Sequence, residues 1–173
     1  MRHVLGALPR EFGLPVIVAQ HREKDSGGTL RELMQEMVAL PVHEVQDKQP
    51  ILEGGVYLAP PDYHLLIEKG HFALSIEGPI SYARPSVDAL FESAADAYGE
   101  HVVGVILTGA NRDGAEGLAA IKRRGGLTVV QDPVTAEAPS MPTAAIATAA
   151  PDRILPIEAI GPLLATLGRA DGR

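Results

Sequence analysis

At 173 residues, the chain fits one domain that buries roughly 70% of the surface its unfolded form exposes. Although 46% of residues are apolar, no run reaches the roughly eighteen needed for a membrane span. Met1-Arg2-His3-Val4-Leu5-Gly6 also lacks a signal-peptide core, so a cytoplasmic protein with no direct membrane insertion is expected. The absence of cysteine rules out disulfides, a thiolate nucleophile and Cys-ligated metal. A net charge of −7, with Lys122-Arg123-Arg124 the one basic cluster, argues against nucleic acid, which calls for a broader basic face.

In chain order, residues 2–8 read as the tail of a helix and 15–20 as a buried strand that ends in Gln20-His21. Thr29-Leu30-Arg31-Glu32 reads as a capping box, with Thr29 at the N-cap and Glu32 reaching back. Behind it Leu30, Leu33, Met34, Met37 and Val38 give a helix one apolar face, and Pro41 stops it. Short strands near 42–46, 55–59, 64–68 and 72–77 lie between Gly and Pro turns and read as a β-rich excursion. Helical spacing returns at Val87, Leu90, Phe91, Ala94, Ala95 and Tyr98, with Ser86 at the N-cap. There follow strand 102–107, helix 113–124 closed by Gly125-Gly126, strand 127–131 and helix 142–149 begun by Ser140. A short strand at 153–155 and a helix near 157–168 complete the chain. This alternation predicts an α/β domain with a parallel sheet. Such a sheet opens with a strand, whereas this chain opens inside a helix.

The richest stretch is Val102-Val103-Gly104-Val105-Ile106-Leu107-Thr108-Gly109-Ala110-Asn111-Arg112-Asp113-Gly114. An apolar strand enters a glycine-rich turn and delivers a carboxylate to a helix start, in the crevice where open α/β sheets gather their catalytic groups. Asp113 has two compatible readings: an N-cap of its own helix, or the orienting carboxylate of a triad, which backbone N–H donors keep ionised. His21 is either a satisfied rim histidine or the triad base. His64 is a weaker rim candidate, and His3, His43, His71 and His101 read as solvated. No HExxH spacing, GxxxxGK[ST] or GxGxxG occurs, so no metal or cofactor is expected. Serines stand at 26, 75, 81, 86, 93 and 140. Only Ser26, in the loop after His21, is a substitute nucleophile, and no GxSxG elbow frames it.

Five segments together are specific: Val16 to His21, Val56-Tyr57-Leu58-Ala59-Pro60-Pro61-Asp62-Tyr63-His64, Arg84-Pro85-Ser86-Val87-Asp88-Ala89-Leu90-Phe91, Gly104 to Gly117, and Met141-Pro142. Through them residues 2 to about 165 resemble the catalytic domain of the bacterial chemotaxis receptor protein-glutamate methylesterase family. The resemblance implies one domain over 1–173 with a doubly wound, mostly parallel sheet, flanking helices and a short antiparallel excursion. It implies hydrolysis of glutamate methyl esters, and deamidation of glutamines, on the cytoplasmic regions of methyl-accepting chemoreceptors, without a cofactor. His21 would be the base, Asp113 its orienting partner, and backbone near Ala110 part of the oxyanion site. The family commonly has Met then Gly where Ala110 and Asn111 stand here. Arg84 is either a wall of the cleft or a loop arginine anchoring the next helix.

One departure is large. The family places its nucleophile in a strand–Gly-Ala-Ser-x-Gly-Gly turn whose register falls a few residues before Met1, so the first strand and the serine are expected to be absent, as is a receiver domain. Three explanations compete: a misassigned start, which is preferred; a genuine truncation surviving as a non-catalytic receptor- or partner-binding remnant; and replacement of the nucleophile by Ser26. Loss of a triad nucleophile costs on the order of 10⁴–10⁶ in kcat, so the chain by itself is expected to be nearly inert.

Overall fold

Two parallel sheets of three strands lie side by side, and the groove between them governs the rest of the architecture. The structure, a computed structural model, describes residues 1–21, 29–80 and 82–168. Ser26, Ser81 and the Thr29 hydroxyl of the predicted capping box lie outside the described residues. The first sheet has the order β1 (Val16–Val18), β3 (Val56–Leu58), β2 (Val42–Glu44), with Val16 and Val42 both opposite Val56. The second runs β6 (Val103–Ile106), β7 (Leu127–Gln131), β8 (Arg153–Leu155), with Val105 opposite Val129 and Val130 opposite Ile154. Between them in sequence, β4 (His64–Glu68) and β5 (His71–Ser75) pair antiparallel.

The β-rich excursion is therefore smaller than the sequence suggested. The segments near 42–46 and 55–59 belong to the parallel sheet, and only the next two make a hairpin. All three residues of β3 are buried, as expected of a central parallel strand covered on both faces. Local patterning identifies such a strand but not its partner.

Helices cover both faces, which makes the fold doubly wound. On one side lie α1 (Arg2–Leu5), α2 (Thr29–Met37) and α6 (Ile157–Leu167). On the other lie the hairpin, α3 (Val87–Tyr98), α4 (Ala115–Arg123) and α5 (Ser140–Ala149). α1 is shorter than the predicted 2–8. Alternate strand residues feed alternate layers: Val130 packs with Leu118 and Ala145 of α4 and α5, while Val129 packs with Val4 and Ile160 of α1 and α6. At Gly117 a Cβ would meet Phe91 Cβ at 2.6 Å and Asp88 Cα at 3.0 Å, so glycine is what lets α4 approach α3 this closely.

β1 and β6 are edges of their sheets. The sheets are joined by helices rather than by a shared strand. Val4 of α1 packs on the β7 side and Leu5 on the β3 side. Across the sheets, Phe91 of α3 touches both the hairpin cluster and the β6–β7 cluster. The space left between β1 and β6 is a cavity of about 980 Å³, lined by Val16 to Ala19, by Val103, Val105 and Ile106, and by Leu5, Leu90 and Phe91.

Among the described residues, β1 and β6 each leave one strand edge without a partner beside an apolar groove, and such edges template association. The chain is expected to bind 8-anilinonaphthalenesulfonate and to self-associate with concentration in sedimentation velocity. A cooperative, monomeric, dye-silent protein would contradict the open-edge reading.

Candidate active site

β1 and β6 bring His21 and Asp113 to the same rim. His21 follows β1 by three residues, and Asp113 follows the turn after β6. His21 Nε2 lies 2.7 Å from Asp113 Oδ2. The carboxylate is fully buried, whereas the imidazole remains 31% exposed. Three further groups donate to Asp113: the Ser86 hydroxyl (2.8 Å) and the Asp88 amide (3.0 Å) to Oδ1, and the Val87 amide (2.7 Å) to Oδ2. Burial alone would raise the Asp113 pKa. The hydrogen bonds from His21, the Asp88 and Val87 amides and Ser86 outweigh it, and the carboxyl lies below its ordinary value.

Asp113 does not cap its own helix, contrary to one of the two sequence readings. Gly114, at φ +95°, is the N-cap of α4 and supplies no side chain, and its turn sends Asp113 toward α3 instead. A Cβ there would collide with Ile106 and Val87 at 2.7 Å. The two helices exchange carboxylates: Asp113 caps α3, and Asp88 of α3 accepts the Gly117 amide of α4 at 2.8 Å. The Asp88 carboxyl is raised above its ordinary value, by burial first and by the neighbouring Asp113 charge, against the pull of the Gly117 amide.

The turn between β6 and Asp113 is pinned independently. Gln131, buried on β7, accepts the Thr108 amide at 2.9 Å and donates to the Thr135 carbonyl. Gly109 donates to the Ala138 carbonyl and accepts the Met141 amide. Met141 packs so closely that a Cβ on Gly109 would stand 2.6 Å from its methyl carbon.

Asn111 fixes the imidazole tautomer. Its Oδ1 accepts the Asp113 amide at 3.1 Å, the local two-residue link asparagines favour, so its NH₂ must face the other way. There it lies 3.3 Å from His21 Nδ1. An N–H directed at Nδ1 requires a lone pair on that nitrogen, so the ring proton sits on Nε2 and is donated to Asp113. The basic nitrogen therefore faces away from the carboxylate, at the mouth of the groove that His21, Ala110 and Asn111 line.

The remaining sequence candidates divide. Ala110 is exposed at this mouth, and its amide donates to no acceptor among the described residues. Arg84 acts between loops: its guanidinium pairs with Asp62 and donates to the Ile76 and Glu77 carbonyls, each at 3.1 Å. Ser86 is the N-cap of α3 as expected, accepting the Ala89 amide, but it is also a ligand of Asp113. His64 is not a rim residue; it is 2% exposed, drawn inward because Ser86 and Gly78 occupy both its nitrogens. Among the described residues, no serine or threonine hydroxyl bonds to His21, and no three His, Asp or Glu side chains form a metal site. None of their helices is long and apolar enough to cross a membrane. The sequence reading missed Asn111 and the second role of Ser86. The Asn-x-Asp spacing was a usable signal for the first; for the second there was none.

A doubly wound fold with an imidazole–carboxylate pair at its strand ends has the form of a hydrolase domain. The chain belongs to the CheB methylesterase family, which it matches over residues 1–164, a family of chemotaxis ester hydrolases. A relative from Leptospira interrogans, provisionally named protein-glutamate methylesterase/protein-glutamine glutaminase, is 45% identical over 168 residues, covering 96% of this chain and 87% of its own. The Caulobacter vibrioides protein-glutamate methylesterase/protein-glutamine glutaminase 2 is 35% identical over 98% of this chain, which spans only 50% of that relative. The crystal structure of the Thermotoga maritima CheB methylesterase catalytic domain superposes with a TM-score of 0.92 at 30% identity, over 96% of this chain and 90% of that one.

The opposite shifts of the two carboxyls predict opposite pH signatures. Asp113, lowered, stabilises the fold fully above its unfolded value of about 3.9 and loses that contribution as pH falls through its folded value. Asp88, raised, costs stability as pH climbs from the unfolded toward the folded value. Asp113→Asn should therefore flatten the acid limb of a denaturant-derived stability profile and cost on the order of 2–3 kcal/mol at neutral pH. Asp88→Asn should remove a decline with rising pH. Equal slopes in both variants would contradict the assignment.

Proposed function

We propose that the chain is the base-and-cleft portion of a protein-glutamate methylesterase acting in the cytoplasm on chemoreceptor glutamates, with glutamine deamidation by the same route. The observation that carries this reading is the 2.7 Å contact between His21 and a buried Asp113, beside a groove that His21 helps to line. The nucleophile is a serine outside residues 1–173, borne at the carboxyl end of an extended segment seated between β1 and β6. Such a segment would satisfy both open edges and join the two sheets in the order β2-β3-β1-segment-β6-β7-β8.

In the reaction, the serine Oγ adds to the ester carbonyl carbon while His21 Nδ1 takes its proton, and Asp113 holds and stabilises the imidazolium. The Ala110 amide is the backbone donor available for the oxyanion. Collapse breaks the carbon–methoxy bond, and the leaving oxygen takes the proton from His21 as methanol. Water, deprotonated by the same nitrogen, then attacks the acyl-serine and returns a glutamate carboxylate and the free serine. With glutamine, ammonia is the leaving group.

The rival reading is a receptor- or partner-binding remnant, which the lack of a described hydroxyl at His21 favours. Methanol release from methylated receptor separates the two. A chain extended through a strand and Gly-Ala-Ser-x-Gly-Gly turn should be active, and His21→Ala should reduce that activity about 10⁴-fold or more. The chain alone should release no methanol above background. Inactivity of both forms, with receptor binding intact, supports the remnant.

A further inference from the structure

His64 is a buried histidine that the reaction does not touch, yet it stands one residue removed from the pair that performs it. It opens β4, and both its ring nitrogens are engaged. Nδ1 lies 3.2 Å from the Ser86 amide, and Nε2 lies 3.0 Å from the Gly78 carbonyl. An amide only donates and a carbonyl only accepts, so Nδ1 is bare and the single ring proton sits on Nε2. This is the same tautomer as that of His21, fixed here by backbone on both sides.

The Ser86 amide is the first of the orphan donors at the N-terminus of α3. The accounting there closes completely. The Ser86 amide goes to His64, the Val87 and Asp88 amides to Asp113, and the Ala89 amide to the Ser86 hydroxyl. His64 and Asp113 thus share the capping of one helix end. The orientation of the Ser86 peptide, set by His64, governs where the hydroxyl and the two following amides point at Asp113.

The other arm of His64 reaches the surface. Gly78 follows Ile76 and Glu77, whose carbonyls Arg84 grips. Three successive carbonyls of this exposed loop are therefore held, two by Arg84 and one by His64. Four hydrogen bonds connect the loop to the imidazole at the cleft: Gly78 to His64, His64 to Ser86, Ser86 to Asp113, and Asp113 to His21.

We propose that His64 is a positioning residue for the esterase reaction, acting through Ser86 to hold Asp113 in line with His21. The inference rests on His21 and Asp113 being the working pair, but its test reads their hydrogen bond rather than turnover. An inactive chain thus leaves it fully decidable.

Two substitutions divide the arms. In His64→Asn the side-chain oxygen takes the place of Nδ1 and keeps the Ser86 amide, but nothing reaches Gly78. In His64→Gln the longer amide takes the place of Nε2 and loses Ser86. Two-bond ¹H–¹⁵N correlation spectra of the ¹⁵N-labelled chain report each imidazole's tautomer and the hydrogen-bonded His21 Nε2 proton. Wild type should show His64 and His21 both protonated on Nε2. His64→Asn should keep the His21 pattern, and His64→Gln should lose it, its two His21 nitrogens averaging toward equal shifts. A merely structural histidine would give the same His21 spectrum in both variants, and that result overturns the proposal. So does a wild-type His64 protonated on Nδ1, a measurement that needs neither variant to fold.

Discussion

The buried Asp113 carboxylate is the fixed point of this molecule. Four donors converge on it from three places: a strand end through His21, a helix cap through Ser86, and the first amides of α3 through Val87 and Asp88. A carboxylate taken wholly out of water is tolerable only when its lone pairs are met, and here they are. The same bonds that offset its desolvation keep it ionised, and an ionised acceptor is what orients an imidazole and stabilises its protonated form. Structural and chemical demands on this residue therefore coincide.

That convergence also explains the crossed caps. α3 and α4 meet so closely at Gly117 that each helix start lies within reach of the other's acid, and Gly114 turns Asp113 away from its own helix. Asp88 and Asp113 are neighbours whose charges oppose each other. Their carboxyls are driven apart, one raised and one lowered. The carboxyl that meets an imidazole and a hydroxyl as well as amides is the one that is lowered, so the partners of each acid set the direction in which it shifts.

Much of this could be read from the residues. The strand–turn–carboxylate order of 102–113 and the imidazole after 16–20 located both groups at the rim, and their meeting needed only the parallel topology. What stayed hidden was long-range. Asp113 followed by Gly114 looks like a local cap, and nothing in the sequence says that its oxygens face residues 86–88. His64 sits in a polar-looking segment, yet it is drawn into the interior by partners 14 and 22 residues away. The assignment of 42–46 and 55–59 to an excursion failed for the same reason. A short apolar run does not state which neighbour it will pair with, and β3 found two parallel ones.

The groove and the tautomer belong to one argument. If His21 carried its proton on the other nitrogen, the lone pair would face a carboxylate and repel it. The Asn111 amide, oriented by the Asp113 backbone, excludes that state. The nitrogen that Asn111 meets is thus left on the ring edge opposite the carboxylate, beside the space between β1 and β6 that His21 helps to line, whose neighbours in both sheets run parallel with their carboxyl ends at the His21 rim. On the proposed reading, a segment pairing parallel with both edges would bring its last residue to that nitrogen, whereas an antiparallel one would bring its first. Strand direction alone then selects a hydroxyl that follows an apolar run rather than one that precedes it.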